Sequence, residues 1–432
     1  MLTPTAPREA GVAPARHFYA RGKLLLTGEY LVLDGATALA APTRRGQGLR
    51  VTATEEVDVL HWLGRERDGA LWVEEAFTRA ELAAAPPPPA DKSPRARLAR
   101  LLRTALAAHP LLWPRRTGLR LESRLEFARE WGLGSSATLA YLLAAWAGAD
   151  AFDLNRVEFG GSGYDVACAG ADGPLRYRLA RGAPVVEAAA WAPAYLDRLW
   201  LVHLGRKQDS RDGIAAYRRA ASGGELPRYV AELDAITDEV HAAPTAAALA
   251  EALRRHEALV GYVTHQQPLG RGRFADFPGA VKSLGAWGGD FALAVATAAA
   301  DFDVPGYFAA RGFGTVVPAR ELLLTSATDP AVRPEAPGDW PAFLYGPLAE
   351  PRVDNEWLGG RPHRAADLLG YAPRGARLAV APGRVAPGTL VWLSPEEVRE
   401  FDLHPAGAGL RRTQLAVRVG EGTGEVRAMV WL

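Results

Sequence analysis

"WGLGSSATLAYLLAAWAGA", residues 131–149, sets two glycines and two serines directly against a long apolar run. Each glycine weakens a helix by roughly 0.5–1 kcal/mol relative to alanine, so bare backbone here must serve something other than helix stability. Three readings fit. In the first, Gly132, Leu133, Gly134, Ser135, Ser136 and Ala137 form a cradle for phosphate. A helix N-terminus leaves about four N–H groups unpaired and carries roughly half a positive charge, and glycines let an anion approach them. In the second, Ser135 and Ser136 only cap a core helix. In the third, Gly132, Gly134 and Ala137 satisfy the dinucleotide pattern G-x-G-x-x-G/A, although no clear βαβ units surround them. The phosphate-loop pattern G-x-x-x-x-G-K-[ST] is absent, because Lys23 is followed by Leu24.

Around this stretch lies an ordinary globular composition. The 432 residues are 48% hydrophobic and 23% charged, with a net charge of +1. Nothing in that balance calls for a nucleic acid or a membrane surface. The single cysteine, Cys168, excludes an internal disulfide framework and a cysteine-rich zinc site. There is no run of about 18 apolar residues. Residues 1–16 lack an apolar signal core and read as a flexible leader, so a cytoplasmic protein is expected. Only four of the 50 basic residues are lysines: Lys23, Lys92, Lys207 and Lys282. In a chain that uses arginine almost everywhere, a surviving lysine marks a place where a compact ammonium is needed. Lys92, beside a proline run, is the exception.

Along the chain, "KLLL" and "YLVL" within residues 23–33 read as short buried strands bounded by glycines. "AAAPPPPADK" (83–92) reads as an exposed loop, followed by an amphipathic helix with Ser93 as N-cap and Pro94 at its first position. "GLRLESRLEF" alternates like a strand, and residues 224–262 carry a helical spacing. A Pro-, Ala- and Asp-rich linker spans 327–340, and short strand-like runs follow it.

Two further glycine-rich segments accompany the opening one. "GGSGYDVACAG" (160–170) sets Asp165 among glycines, and "VKSLGAWGGDFALAVA" (281–296) is a second loop entering an apolar run. Together with "RGKLLLTGEYLVLDG" and "GLGSSAT", they resemble, in the family order, the three motifs of the GHMP kinase superfamily. That superfamily includes galactokinase, homoserine kinase, mevalonate kinase and phosphomevalonate kinase. Gly28-Glu29-Tyr30, Gly161 to Asp165 and Gly289-Asp290 are similar to phosphomevalonate kinase, and Gly163 to Ala167 looks closest to the "GYDIA" group. The chain departs from the family at Trp287, where a small residue is usual. It also lacks a clear counterpart of the magnesium-binding Glu, with Asn155 and Glu158 nearby.

The resemblance implies an α+β, two-lobed kinase fold. Residues 17–190 would form a ribosomal S5 domain 2-like lobe and residues 191–326 a ferredoxin-like lobe. It implies ATP and Mg²⁺, a small-molecule acceptor of the mevalonate or phosphomevalonate kind, and a homodimer as one option. Asp165 would orient or deprotonate the acceptor, and Lys23 would lower its pKa and steady the moving phosphoryl group. Gly132 to Ala137 would hold the ATP phosphates, with Ser136 on Mg²⁺. Glu29, Ser162, Gly163, Gly285, Ala286, Gly288 and Gly289 would shape the active-site loops. Lys207 is either an anion contact or a solvated loop lysine. Two other functions stay open: a nucleotide-binding regulator in which Trp287 blocks chemistry, and a dinucleotide-dependent oxidoreductase.

Residues 341–432 resemble a gamma-glutamylcyclotransferase-like (AIG2-like) domain, a small mixed barrel that opens on Tyr345, Gly346 and Leu348. A small β domain with a chance Tyr-Gly turn is the alternative. The acid–base Glu that the family carries after its Leu-Asp pair is missing beyond Phe401-Asp402. The domain is therefore expected to lack cyclotransferase activity and to pack against, or gate, the kinase.

Arginine usage generates the first prediction. Lys23→Arg is expected to be poorly tolerated in ATP-dependent turnover, because a planar fork does not replace a point charge. Full activity of that variant would show that the lysine carries no such meaning.

Overall fold

The computed structural model of the chain describes residues 15–205, 214, 217–219, 224–285, 287, 290–299, 301–325, 340–345, 364–374, 377–393, 412–419 and 425–431. The first sheet has seven strands: β1 (Arg16–Thr27), β2 (Ala38–Thr54), β3 (Val59–Arg65), β4 (Leu71–Thr78), β5 (Gly118–Leu125), β6 (Leu175–Ala180) and β7 (Ala183–Ala188). Their order is β4-β3-β5-β2-β6-β7, with β1 also paired to β2. Every pairing is antiparallel except β3 with β5.

Helices α1 (Arg79–Ala83), α2 (Pro94–Ala108), α3 (Ser135–Ala147), α4 (Ala151–Glu158) and α5 (Tyr164–Ala169) accompany this sheet. The cap expected for α2 is present: the Ser93 hydroxyl accepts the Ala96 N–H, and Pro94 opens the helix. Leu98, Leu102, Leu143 and Trp146 from the helices meet Phe18, Leu49, Trp62 and Leu121 from the strands in one buried cluster. Burial of this kind stabilises by roughly 25 cal/mol per Å² of apolar surface and fixes where α3 begins.

A second, four-stranded sheet follows: β8 (Leu199–His203), β9 (Gly279–Ser283), β10 (Phe291–Ala296) and β11 (Val316–Pro318). Its order is β11-β8-β10-β9, antiparallel throughout. The helical spacing over 224–262 resolves into two helices, α6 (Leu226–Ala242) and α7 (Ala246–Thr264). Pro244, which has no N–H to give a helix, falls in the break. Thr245 caps α7 by accepting the Ala248 N–H. Two short helices, α8 (Val304–Ala309) and α9 (Ala319–Leu322), complete this part.

One apolar core serves both sheets. It joins Leu24, Leu26, Leu31 and Phe127 to Leu201, Ile236, Leu253, Val260 and Phe291. The chain then returns from α9 to β2, where Leu324 donates to the Pro42 carbonyl at 3.0 Å. Towards the C-terminus, β12 (Trp340–Leu344), β13 (Arg364–Arg374), β14 (Arg377–Leu393), β15 (Arg412–Val419) and β16 (Glu425–Trp431) close into a barrel in the order β12-β14-β13-β15-β16. Residues 327–339 of the expected linker lie outside the described residues.

"YLVL" departs from the strand reading. Leu31–Asp34 is a turn of 3₁₀ helix, not a strand. Gly28, at φ 102°, ends β1, and Tyr30, at φ 63°, turns the chain. The Val32 N–H then closes on the Gly28 carbonyl at 3.1 Å. A short apolar run between glycines looks the same in either state, and only the positive φ values separate them.

That turn generates a stability prediction. A Cβ on Gly28 would lie 2.4 Å from Ala38 Cβ, at a φ of +102°. Gly28→Ala should destabilise the fold by about 2–3 kcal/mol, seen as a lower urea midpoint. An unchanged midpoint would contradict the geometry.

Candidate active site

The start of α3 is laid bare by its own backbone. The N-cap is Gly134, at φ 91°, and no side chain caps the helix. Ser135 and Ser136 are its first two residues, so the simple capping reading does not hold. The first intrahelical N–H to find a partner is that of Thr138, on the Gly134 carbonyl at 2.9 Å. The N–H groups of the first turn therefore have no intrahelical acceptor. They open on a cleft of about 590 Å³ lined by Gly132, Gly134, Ser135, Ser136 and Ala137.

Lys23 crosses this loop from β1. Its backbone N–H donates to the Leu133 carbonyl at 2.9 Å, and its ammonium donates to the Gly132 carbonyl at 2.9 Å. The same ammonium lies 5.8 Å from the centre of the Tyr164 ring. A Cβ on Gly134 would stand 3.0 Å from Lys23 Cγ, so the glycine leaves room for the lysine as well as for an anion.

Asp165 enters from the far side, in the first turn of α5, which Gly163 opens at φ 90°. It lines the same cleft as Lys23, and its Oδ1 accepts the Val166 N–H at 3.1 Å. Burial pushes its carboxyl above the ordinary range, and the Lys23 ammonium pulls the other way. Burial and the Asp165 charge together push the Tyr164 hydroxyl far above its usual value.

Of the loop residues expected in the site, Glu29, Ser162 and Gly285 line the cleft, while Gly163 caps α5 beside it. Ala286, Gly288, Gly289, Lys207, Gly346 and Leu348 lie outside the described residues. Tyr345, at the end of β12, is buried. Three charged lining residues carried no assigned role in the sequence reading: Arg97, Arg129 and Asp290. Asp290 belongs to the Gly289-Asp290 pair, and that pair was its signal. The arginines, among 50 basic residues, had none.

Neither candidate for the missing metal acid faces the cleft. Glu158 is clamped by Arg100 at 2.6 and 2.8 Å, and the Asn155 amide donates to the Gly160 carbonyl. The carboxylate and serine oxygens that do line the cleft belong to Glu29, Ser135, Ser136, Ser162, Asp165 and Asp290, and Lys282 already occupies the carboxylate of Glu29. Among the described residues no cluster of three His, Cys, Asp or Glu side chains stands ready for a metal. Mg²⁺ keeps several waters and binds through one or two carboxylates plus substrate phosphates, a demand this donor set fits.

Trp287 resolves the other departure. Its side chain is buried and belongs to the shared core. The indole points at α7, where its Cη2 would lie 2.9 Å from a Cβ on Gly261. It turns away from the cleft.

No family model matches this chain, and no curated protein does. Solved structures do. A mevalonate kinase is similar at 15% identity and a TM-score of 0.50, over 66% of this chain and 92% of that one. The mevalonate kinase of Methanococcus jannaschii is similar at 15% and 0.50, over 67% and 92%. The phosphomevalonate kinase of Streptococcus pneumoniae, solved with phosphomevalonate and AMPPNP, is similar at 17% and 0.49, over 66% and 93%. The chain therefore has an α+β fold with a mixed sheet of the kind these GHMP kinases share. Among the described residues, no helix is long and apolar enough to cross a membrane.

Gly134→Val should weaken ATP binding, and the strain of a branched side chain at φ 91° should also lower the urea midpoint, which is measured alongside. Calorimetry with ATP reads the result, and an unchanged affinity would remove phosphate from the role of this loop.

Proposed function

We propose that this protein is an ATP-dependent phosphotransferase. It would move the γ-phosphoryl group to a hydroxyl or phosphate of a small acceptor related to mevalonate or phosphomevalonate. The observation that carries this reading is one cleft bringing together Lys23, Asp165 and the uncapped start of α3. Phosphoryl transfer asks a protein for positioning and charge neutralisation more than covalent help, and these three supply both.

The first-turn N–H groups of α3 would hold the triphosphate. Asp165, made more basic by burial, would orient the acceptor and take its proton as the new P–O bond forms and the bond to ADP breaks. The Lys23 ammonium would neutralise charge on the phosphoryl oxygens in flight. Mg²⁺, held by Ser136 with Asp165 or Asp290 and the phosphates, would supply further charge neutralisation when bound.

Two alternatives lose their basis. The regulator reading needed Trp287 as an obstruction, and its indole packs on Gly261 instead. The oxidoreductase reading needed a dinucleotide loop in a parallel sheet, and the sheet here is antiparallel except for β3 with β5. The C-terminal barrel remains, in our reading, a gamma-glutamylcyclotransferase-like appendage without that family's acid–base Glu. Cytoplasmic location is likewise part of this reading.

The test is an acceptor screen with ATP and Mg²⁺ that includes mevalonate and phosphomevalonate, read by ADP release and product phosphorylation. Asp165→Asn should cut turnover on the best acceptor by about 10²–10⁴, the usual worth of a positioned acid–base group. ATP affinity should stay nearly unchanged. Wild-type turnover in that variant would remove Asp165 from the chemistry, and no transfer to any acceptor would overturn the kinase reading.

A further inference from the structure

Behind the cleft lies a group of buried ionisable side chains, of which the motif reading gave a role only to Glu29. Glu29, on the turn after β1, lines the cleft, and its side chain has no solvent exposure. The Lys282 ammonium, brought by β9 and equally buried, donates to Glu29 Oε1 and, at 2.7 Å, to the Ser283 carbonyl. His256 and Glu257 of α7 stand beside the pair.

The hydrogen bonds assign the charges. His256 Nε2 lies 3.2 Å from Glu29 Oε2, but it also accepts the Gly28 N–H at 3.1 Å. A ring nitrogen whose lone pair is occupied cannot donate to a carboxylate. The imidazole is therefore neutral, and burial followed by the Lys282 ammonium holds it below its ordinary value. Glu257 accepts the Ser283 and Leu269 N–H groups at 3.1 and 3.3 Å. Burial pushes its carboxyl up to about 8, which leaves it largely protonated at neutral pH. Of the two carboxyl groups, Glu29 is the one that Lys282 meets in a hydrogen bond. Burial opposes the ionisation of Glu29, and the Lys282 ammonium, with a further contribution from His256, holds that carboxyl below its ordinary value.

We infer that Lys282 is a positioning residue for phosphoryl transfer: reaching from the second sheet, it holds the Glu29 carboxylate in place at the floor of the cleft, balanced by a cation the substrates never touch. The inference rests on the kinase reading above. Asp165 and Asp290 already line the cleft, and a triphosphate adds more negative charge. A third carboxylate is tolerable there only if its charge is balanced from behind. Lys282 also stands three residues before Gly285, which lines the cleft, so the same contact sets where that loop begins. A compact ammonium suits a fully enclosed slot better than a guanidinium, which gives a reason for a lysine in this arginine-rich chain.

The test uses the full chain as wild type, Lys282→Met, Glu29→Gln and the double variant. Lys282→Met should lower kcat by about 10²-fold, the scale of a small misplacement of reacting groups, while ATP affinity stays within a few-fold. Its kcat should also acquire a rise with pH as the now unpaired Glu29 ionises, a limb absent from wild type. The groups facing Glu29 are Lys282 from β9, His256 and Glu257 from α7, its neighbour Tyr30, and Tyr164 from α5, and only Lys282 changes in this variant. The thermal midpoint should fall in Lys282→Met and recover most of that loss in the double variant, where no buried carboxylate is left unpaired. The double variant should still be slow. If Lys282→Met does not fold, the double variant carries the kinetic test alone.

A wild-type kcat and pH profile in Lys282→Met, or in the double variant where the single does not fold, would overturn the inference. So would midpoint losses that simply add in the double variant. Absence of transfer by wild type itself would instead overturn the kinase reading, with the midpoint cycle still reporting whether Lys282 and Glu29 are coupled.

Discussion

The structure depends on keeping a few backbone N–H groups unsatisfied at the start of α3. Such groups are expensive to leave without partners, and any nearby side chain able to cap them would lower the energy of the fold and close the site. The chain avoids this by opening the helix on Gly134, which has no side chain to fold back. It then holds the loop from outside. The Lys23 amide and ammonium take the Leu133 and Gly132 carbonyls, and the Thr138 hydroxyl meets Gln47 of β2 at 2.5 Å. Ala140, Leu143 and Ala147 anchor the rest of the helix in the core. The ligand is left as the natural partner for those amides.

The single core beneath both sheets makes that arrangement stiff. Trp131, just before the loop, packs edge-on against Phe291 of β10 at 5.6 Å. The Gly132 backbone lies so near Asp290 that a Cβ there would come within 2.0 Å of its carboxylate. The two sides of the cleft therefore meet through atoms in contact, and their spacing follows from packing density, which protein interiors hold close to that of crystals. The Lys282–Glu29 pair repeats the same logic with charge in place of apolar contact.

Much of this was legible in the sequence because it is local. The run from Gly132 to Ala137, the glycines around Asp165 and the isolated lysine at 23 each announce themselves within a few residues. The 3₁₀ turn at Leu31–Asp34 was not legible, since four apolar residues between glycines fit a strand equally well and only the φ of Tyr30 decides. Nor was the charge group behind Glu29. Its members come from the turn after β1, from α7 and from β9, and His256 with Glu257 reads in sequence as part of the charged run Arg254 to Glu257 of an amphipathic helix. No periodicity connects residues more than 220 positions apart, so only the fold could pair them.

Trp287 shows how a departure from a pattern can be absorbed at a distance. A large side chain in a loop that borders the cleft would obstruct it if it pointed inward. Here the indole is buried on the opposite side, in a space that exists because α7 carries glycine at 261. Glycine inside a helix costs roughly 1 kcal/mol relative to alanine, and nothing in the spacing of α7 asks for it. Two contacts account for that cost, since a methyl group at 261 would come within 2.7 Å of the Gln266 carbonyl oxygen, where the chain turns after α7, and within 2.9 Å of Trp287 Cη2. Trp287 and Gly261 are therefore coupled: the bulky residue packs on the neighbouring helix where that helix leaves room, away from the cleft. Burying the ring also ties the loop after β9 to the shared core, which makes Trp287 part of what holds Gly285 at the cleft.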